Sequence, residues 1–294
     1  MIPSHKIFSG FFAAVFCLIS ISETQGQIYL TGNNSIGEYA LSGATINSTL
    51  VTGLSNPYGI AVSGSHLFVA NNSTGTIGEY DATTGATINS SLVSGLSTPS
   101  GLAVSGSDLF VVNRTSGTIG EYDASTGATI NAALVSNLGN PVFLSISGSN
   151  LFVGNQGYGT IGEYTTSGAV VNASLISGLS GPFGIALAGS NLFVANTSSN
   201  TVSEYTTSGT TVNASLISGL NAPYGIAVGG SDLFVSNLGN ASVGEYTTSG
   251  ATVDASLISG LSFSVGIAVV PEPSSWALGL LALGLFVYLR RRLV

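Results

Sequence analysis

The sequence is almost without cysteine. Cys17 is the single cysteine among 294 residues, and it lies in an apolar stretch near the N-terminus. The residues after Cys17 can therefore form no disulfide, and they offer no thiolate to a metal ion. Their folded state must rest on core packing and backbone hydrogen bonds, without covalent staples.

Charged residues are also scarce, at 6% of the chain. Arg114 is the only Lys or Arg between residues 27 and 270, and with the eleven acids of that range it leaves a net charge of −10. Nucleic-acid and polyanion binding depend on basic side chains that neutralise phosphates. The sequence therefore disfavours these partners.

Long apolar runs are missing from the middle of the chain and occur only near its ends. The positive mean hydropathy of +0.49 therefore reflects short strands, not a membrane domain. At the N-terminus, Lys6 precedes the largely apolar stretch from Ile7 to Ile21, and the small residues Thr24 and Gly26 follow. This pattern predicts a secretory signal peptide at 1–26, with cleavage after Gly26.

The C-terminal region has three parts in series. Pro271, Glu272 and Pro273 come first, an apolar run from Trp276 to Leu289 follows, and Arg290, Arg291 and Arg292 stand near the end. As a helix the run would rise about 21 Å, which is short of a hydrocarbon core of roughly 30 Å. The arginines would hold that end in the cytoplasm. The pattern predicts a transmembrane helix within 271–294, with everything before Pro271 outside the inner membrane.

Together these three parts resemble the PEP-CTERM sorting tail of Gram-negative bacteria that secrete exopolysaccharide. The resemblance implies that an exosortase-type protease recognises Pro271, Glu272 and Pro273 after export. It further implies a precursor inserted in the inner membrane, then a product at the cell surface or in the extracellular matrix, with extracellular polysaccharide as a candidate partner. The alternative is an uncleaved single-span membrane protein.

Between the two ends the sequence repeats every 41 to 42 residues. Each repeat carries Gly-Glu-Tyr or Ser-Glu-Tyr, and the repeated glutamates are Glu38, Glu79, Glu121, Glu163, Glu204 and Glu245. Turn signals divide one unit into four strands, here named a (Gly59 to Val62), b (Leu67 to Ala70), c (Thr76 to Tyr80) and d (Ala86 to Val93). Strands a and b are apolar on both faces, whereas strand d is polar, as in a blade whose outer strand is solvated.

Four strands in about 40 residues predict an all-β propeller with six blades over residues 27–270. The range opens on a b-type strand at Ile28 and ends on an a-type strand at Val269. We therefore expect the N- and C-terminal strands to pair and close the ring. The unit from Leu192 to Val228 resembles the NHL and YVTN propeller repeats, whose members include enzymes, receptors and scaffolds.

A catalytic role is disfavoured because the blades are so alike. His66 is the only histidine after the signal peptide, and its counterparts in other blades are Asp or Asn, so it is interpreted as a turn residue. We expect no catalytic residue, metal site or cofactor. The repeated glutamates are assigned to solvated or inter-blade hydrogen-bonded positions, with bridging of divalent cations as the alternative. A propeller enzyme of the lyase or lactonase type is the competing function.

If a ligand site exists, the d-to-a loops are the expected place, because they open on one face near the central tunnel. They carry Tyr58, Phe183 and Tyr224, which could stack on sugars. The alternative is that these residues are packed after a turn proline. The third unit departs from the repeat at Pro141 to Leu144 and at Gln156 to Gly159, with Arg114 nearby in sequence, and either function or drift explains the departure.

Overall fold

The structure, a computed structural model, describes residues 26–263 and 265–270. These residues form six four-stranded antiparallel sheets and contain no helix. The predicted six-bladed, all-β propeller is thereby confirmed for this part of the chain. The predicted signal peptide, apart from Gly26, and the predicted transmembrane helix lie outside the described residues.

The first strands along the chain are β1 (Gln27–Thr31), β2 (Ser35–Ala40) and β3 (Thr45–Thr52). Blade 1 consists of β4 (Pro57–Ser63), β5 (His66–Asn71), β6 (Thr76–Asp81) and β7 (Thr87–Val93). Blade 2 consists of β8 (Pro99–Ser105), β9 (Asp108–Asn113), β10 (Thr118–Asp123) and β11 (Thr129–Val135). Blade 3 consists of β12 (Pro141–Ser147), β13 (Asn150–Asn155), β14 (Thr160–Thr165) and β15 (Val170–Ile176).

Blade 4 consists of β16 (Pro182–Ala188), β17 (Asn191–Asn196), β18 (Thr201–Thr206) and β19 (Thr211–Ile217). Blade 5 consists of β20 (Pro223–Gly229), β21 (Asp232–Asn237), β22 (Ser242–Thr247) and β23 (Thr252–Ile258). The last described strand is β24 (Ile267–Val270), and blade 6 has the order β24, β1, β2, β3.

Within each blade, the two middle strands are the most buried, the innermost strand is half-buried along the channel, and the outer strand is the most exposed. In blade 1, Leu67 and Val69 of β5 are fully buried, whereas the first five residues of the outer strand β7 are exposed. The other outer strands repeat this pattern, and each exposes an Ile or Val near its start, with two in blade 3. The polarity gradient predicted from the sequence is thus present in every blade.

The two ends of the described chain meet in blade 6. Strand β24 pairs antiparallel with β1, and the facing residues run from Gln27 opposite Val270 to Leu30 opposite Ile267. Next to this ladder, the amide of Gly266 donates a hydrogen bond of 2.8 Å to Oγ1 of Thr31. Gln27 and Val270 therefore leave the propeller side by side, on one face of the molecule.

The repeated Gly-Glu-Tyr motif has a packing explanation. Residues two apart on a strand point to the same face, so the ring of Tyr80 lies directly over Gly78, where a Cβ atom would contact the ring. Tyr80 is buried in this arrangement, and its burial raises the pKa of the phenol. Glycine makes room for the tyrosine in five blades, whereas blade 4 has Ser203 at this place and still buries Tyr205. The glutamate between the two residues faces the other way.

Candidate functional site

The three aromatic residues singled out in the sequence each lie second in an innermost strand. Tyr58, Phe183 and Tyr224 follow the prolines that begin β4, β16 and β20. Each strand has a register shift at this point: in β4, Pro57 faces Asn71 but Ile60 faces Val69, so Tyr58 and Gly59 together oppose one residue. A β-bulge of this kind bends the strand and redirects a side chain. The aromatic residues therefore belong to bulged strand starts, not to loops as predicted.

The aromatic rings come together at one end of the central channel. The Phe183 and Tyr224 ring centroids are 4.0 Å apart, with 36° between the ring planes. Tyr224 meets Tyr58 at 6.4 Å in an edge-to-face arrangement, and Tyr58 stacks on Phe143 at 6.3 Å. Four blades thus contribute to one cluster, which we call the aromatic mouth: Tyr58, Phe143, Phe183 and Tyr224.

Members of the aromatic mouth differ in exposure. Phe183 is only 2% exposed and lies beneath Tyr224, whereas Tyr58, Phe143 and Tyr224 are partly exposed. Phe183 therefore forms the floor of the mouth, and the tyrosines and Phe143 offer its open surface. Burial, reinforced by the neighbouring Tyr58 hydroxyl, raises the pKa of Tyr224 well above its ordinary value, so this phenol is a neutral hydrogen-bond donor.

Phe143 was not predicted as a site residue, although the sequence around it departs from the repeat. Glycine occupies the corresponding position in the other innermost strands, and a Cβ atom at Gly59, Gly184 or Gly225 would run into a backbone carbonyl of the next blade. Phe143 replaces this glycine in blade 3 and projects into the channel, where it also lines the cavity below. The replacement of Pro-x-Gly by Pro-Val-Phe in blade 3 was the feature of the sequence that could have identified Phe143.

Arg114 lies beside the aromatic mouth. Its Cζ is 5.7 Å from the centroid of the Phe183 ring, within the range of a cation–π contact. Its Nε donates to Oδ1 of Asn140 at 2.7 Å and its Nη2 donates to Oε1 of Gln156 at 2.8 Å. Asn140 also donates to Gln156 at 2.7 Å. Arg114 and Gln156, which depart from the repeat in units two and three, are therefore in contact beside the aromatic mouth.

Below the aromatic mouth lies a cavity of about 580 Å³. Its wall consists mainly of Ile, Leu, Val and Ala from the six innermost strands, and it extends from Phe143 at one end to Val270 at the other. The aromatic mouth and the propeller residues Gln27 and Val270 thus lie on opposite faces.

Four of the six repeated glutamates form hydrogen bonds inside their own blades, so the expected inter-blade contact is not what holds these four. Glu163 and Glu204 accept from Nδ2 of Asn150 and Asn191 at 2.8 Å, and Glu38 accepts from Gln27 at 2.7 Å. Glu79 pairs at 2.7 Å with Nδ1 of His66. His66 is the first residue of β5, and it therefore binds Glu79 as the Asn or Gln at the start of strand b binds the glutamate in three other blades.

In two blades this position holds an acid instead of a donor. Asp108 stands near Glu121 and Asp232 stands near Glu245, and burial together with the neighbouring aspartate raises the pKa of each glutamate. A carboxyl group with a raised folded-state pKa takes up protons on folding, so its contribution to stability is largest at low pH. That contribution falls as the pH rises above the ordinary value near 4.5.

Asp232→Asn is therefore expected to stabilise the protein at pH 7. The new amide would donate to Glu245 as Asn191 donates to Glu204, with a gain of about 1 kcal/mol. The gain should shrink at pH 4.5, where Glu245 is partly protonated in the wild type. Urea unfolding at the two pH values measures it. Asn191→Asp is the matched control and should destabilise blade 4 at pH 7, and equal stability of both variants and the wild type would contradict the interpretation.

The aspartates at the c-to-d turns are explained by turn geometry. Oδ1 of Asp123 accepts from the amides of Ser125 and Thr126 and from both hydroxyls. These hydrogen bonds, led by that from the Ser125 hydroxyl, lower the pKa of Asp123 to about 2. Within the part of the chain that the structure describes, no three His, Cys, Asp or Glu side chains group closely enough to hold a metal ion.

Comparison with known proteins identifies the C-terminal segment. Residues 269–292 match the model of the PEP-CTERM protein-sorting motif. This motif indicates an exported protein that is sorted to the cell envelope of Gram-negative bacteria and processed by exosortase-type machinery. Among residues 26–263 and 265–270 there is no helix of the length and apolarity needed to cross a bilayer. A search of curated protein sequences gives no significant match.

Solved structures match the propeller. A chain from a nidogen/laminin complex is 14% identical with a TM-score of 0.73, and the match covers 83% of this chain and 98% of that one. A catalytically inactive virginiamycin B lyase from Staphylococcus aureus with quinupristin is 19% identical, with coverage of 86% and 94% and a TM-score of 0.62. A gluconolactonase from Xanthomonas campestris is 14% identical, with coverage of 74% and 81% and a TM-score of 0.63.

Identities this low establish the fold alone, since propellers of one architecture serve unrelated activities. The matched structures agree with the propeller fold that the repeat predicted. The chain thus carries a six-bladed propeller followed by a PEP-CTERM sorting tail.

Proposed function

We propose that this protein is a non-catalytic binding module that a sorting tail delivers to the cell surface or the extracellular matrix. In this proposal residues 1–26 are a signal peptide, 27–270 are the propeller, and 271–294 hold the precursor in the inner membrane through a C-terminal helix until an exosortase-type protease acts. The pairing of β24 with β1 locks the ring. The ligand is extracellular polysaccharide, bound at the aromatic mouth.

One observation carries the proposal: the partly exposed aromatic mouth lies on the face opposite Gln27 and Val270. A tail attached after Val270 would leave that mouth directed away from the membrane. Partly exposed aromatic rings bind the apolar faces of sugars, and the tyrosine hydroxyls can donate to sugar oxygens. The side chains that line the channel below are mainly Ile, Leu, Val and Ala, and they offer no acid or base for hydrolytic or lyase chemistry.

Replacing both tyrosines should weaken polysaccharide binding. The change is Tyr58→Ala together with Tyr224→Ala in the full-length protein, which removes the open rings but keeps the Phe183 floor. We expect a loss of at least about tenfold in affinity for polysaccharide extracted from the producing cells, because a few central aromatic residues dominate such interfaces. Pull-down isotherms measure the loss.

Ile88→Ala is the control for that experiment. Ile88 is 51% exposed on the outer strand of blade 1, far from the mouth, so its replacement removes exposed apolar area without touching the proposed site. Ile88→Ala should bind as the wild type does. Equal binding by the double tyrosine variant and the wild type would overturn the assignment of the mouth.

A further inference from the structure

The charge of Arg114 has no partner of opposite sign. Arg114 is the single Lys or Arg in a range that holds eleven acids, yet no described carboxylate forms an ion pair with it. Its two hydrogen-bond acceptors, the amide oxygens of Asn140 and Gln156, are neutral. The guanidinium is therefore held in a fixed place by groups that leave its positive charge uncompensated.

The fold does not need an arginine at this position. The equivalent residues in other blades are Asn72, Gln156, Thr197 and Leu238. Asn72 and Thr197 each donate to the carbonyl of the proline that begins the next blade, at 3.1 and 2.6 Å. Arg114 instead turns toward Asn140 and the Phe183 ring. Arg114 lacks the contact that Asn72 and Thr197 make and points to the aromatic mouth, where it is available for a ligand.

The guanidinium also keeps free donor capacity. Nη1 has no hydrogen-bond partner among the described residues, and the side chain as a whole is partly exposed. Arginine presents its N–H groups in a planar fork that matches a carboxylate, and its interaction with an aromatic face orients it further. The strongest ligand chemistry for this arrangement is one carboxylate next to a ring that stacks on Tyr58 or Tyr224.

We propose that the aromatic mouth binds a sugar that bears a carboxylate, with Arg114 donating to the carboxylate and the tyrosines covering the sugar ring. This inference rests on the proposed function and names its ligand class: a uronic acid unit within an otherwise neutral glycan. One cation in a propeller of net charge −10 favours a single carboxylate. The same negative charge repels a densely charged polymer.

The test is calorimetry on the full-length protein with two disaccharides that differ in one group, glucuronosyl-glucose and cellobiose. We expect glucuronosyl-glucose to bind at least about tenfold more tightly, because a hydrogen bond to a charged group is stronger than one to a hydroxyl. Arg114→Gln should abolish the preference without lowering the melting temperature, since Gln156 occupies the same position in blade 3. Arg114→Lys keeps the charge but loses the fork, so it should retain part of the preference.

The outcomes separate this inference from the proposed function. If cellobiose and glucuronosyl-glucose bind equally, or if Arg114→Gln keeps the preference, the carboxylate inference is overturned. In that case loss of binding in the Tyr58→Ala and Tyr224→Ala variant would still support glycan binding at the mouth. If the wild type binds neither disaccharide nor the polysaccharide extracted from the producing cells, both proposals fail.

Discussion

Removing β24 is expected to destroy the monomeric fold. A chain that ends at Gly266 would lack the four residues that pair with β1, whereas a chain that ends at Val270 keeps them. Ile267 and Val269 pack against a core cluster that includes Leu30 and Phe234, and Ala268 and Val270 pack on the opposite side of the blade. Burial of Ile267 alone contributes about 2 kcal/mol, and a whole domain is stable by roughly 5–15 kcal/mol.

The loss would also expose the free edge of β1. An unpaired edge next to buried apolar residues is a template for association with other chains. We therefore expect the shorter chain to elute as aggregate in gel filtration and to lack a cooperative thermal transition, while the chain ending at Val270 elutes as a folded species. A shorter chain that stays monomeric and melts within a few degrees of the longer one would show that β24 does not lock the ring.

The second large effect is expected at the sorting element. Pro271→Ala with Pro273→Ala should block removal of the tail, because it destroys the Pro-Glu-Pro sequence within the segment that matches the sorting motif. That sequence begins immediately after β24. The propeller itself should be unaffected, since neither proline belongs to a described strand. We therefore expect the variant to keep its tail completely and to fold as the wild type does.

Much of the fold could be predicted because a repeat makes local signals accumulate. A hairpin read from one unit recurs in five others, and the turn glycines and apolar alternation agree in each. Strand β6, predicted to span Thr76 to Tyr80, is observed at Thr76–Asp81. The boundaries of strand a were less accurate, because the bulge after Pro57 interrupts the alternation on which the prediction depends.

The site was predicted less completely because it depends on contacts between blades. Tyr58 and Tyr224 are 166 positions apart in the chain, and only the radial arrangement brings their rings within 6.4 Å. The sequence indicated which residues follow the turn prolines, but it did not distinguish the buried Phe183 from the partly exposed tyrosines. It noted Arg114 and Gln156 separately, whereas their hydrogen bond crosses from one blade to the next.

For the repeated glutamates, the contact that was not predicted lies within a blade. They were assigned to solvated or inter-blade hydrogen-bonded positions, because the sequence pattern alone does not reveal which neighbour a strand residue reaches. In the structure Glu163 and Asn150 are 13 residues apart on one hairpin, and the antiparallel register brings them within hydrogen-bond distance. The amide of Asn150 therefore satisfies the Glu163 carboxylate locally, without a contact to another blade.

The most direct test of the account is the intact mass of the protein from cell-surface and membrane fractions of the producing cells. We compare the wild type, the Pro271→Ala and Pro273→Ala variant, and Ser274→Ala as a matched control next to the sorting sequence. The account predicts that the wild type and Ser274→Ala lose the segment after the Pro-Glu-Pro region, and that the double proline variant retains it. An intact tail in the wild type would contradict the account and indicate an uncleaved single-span membrane protein.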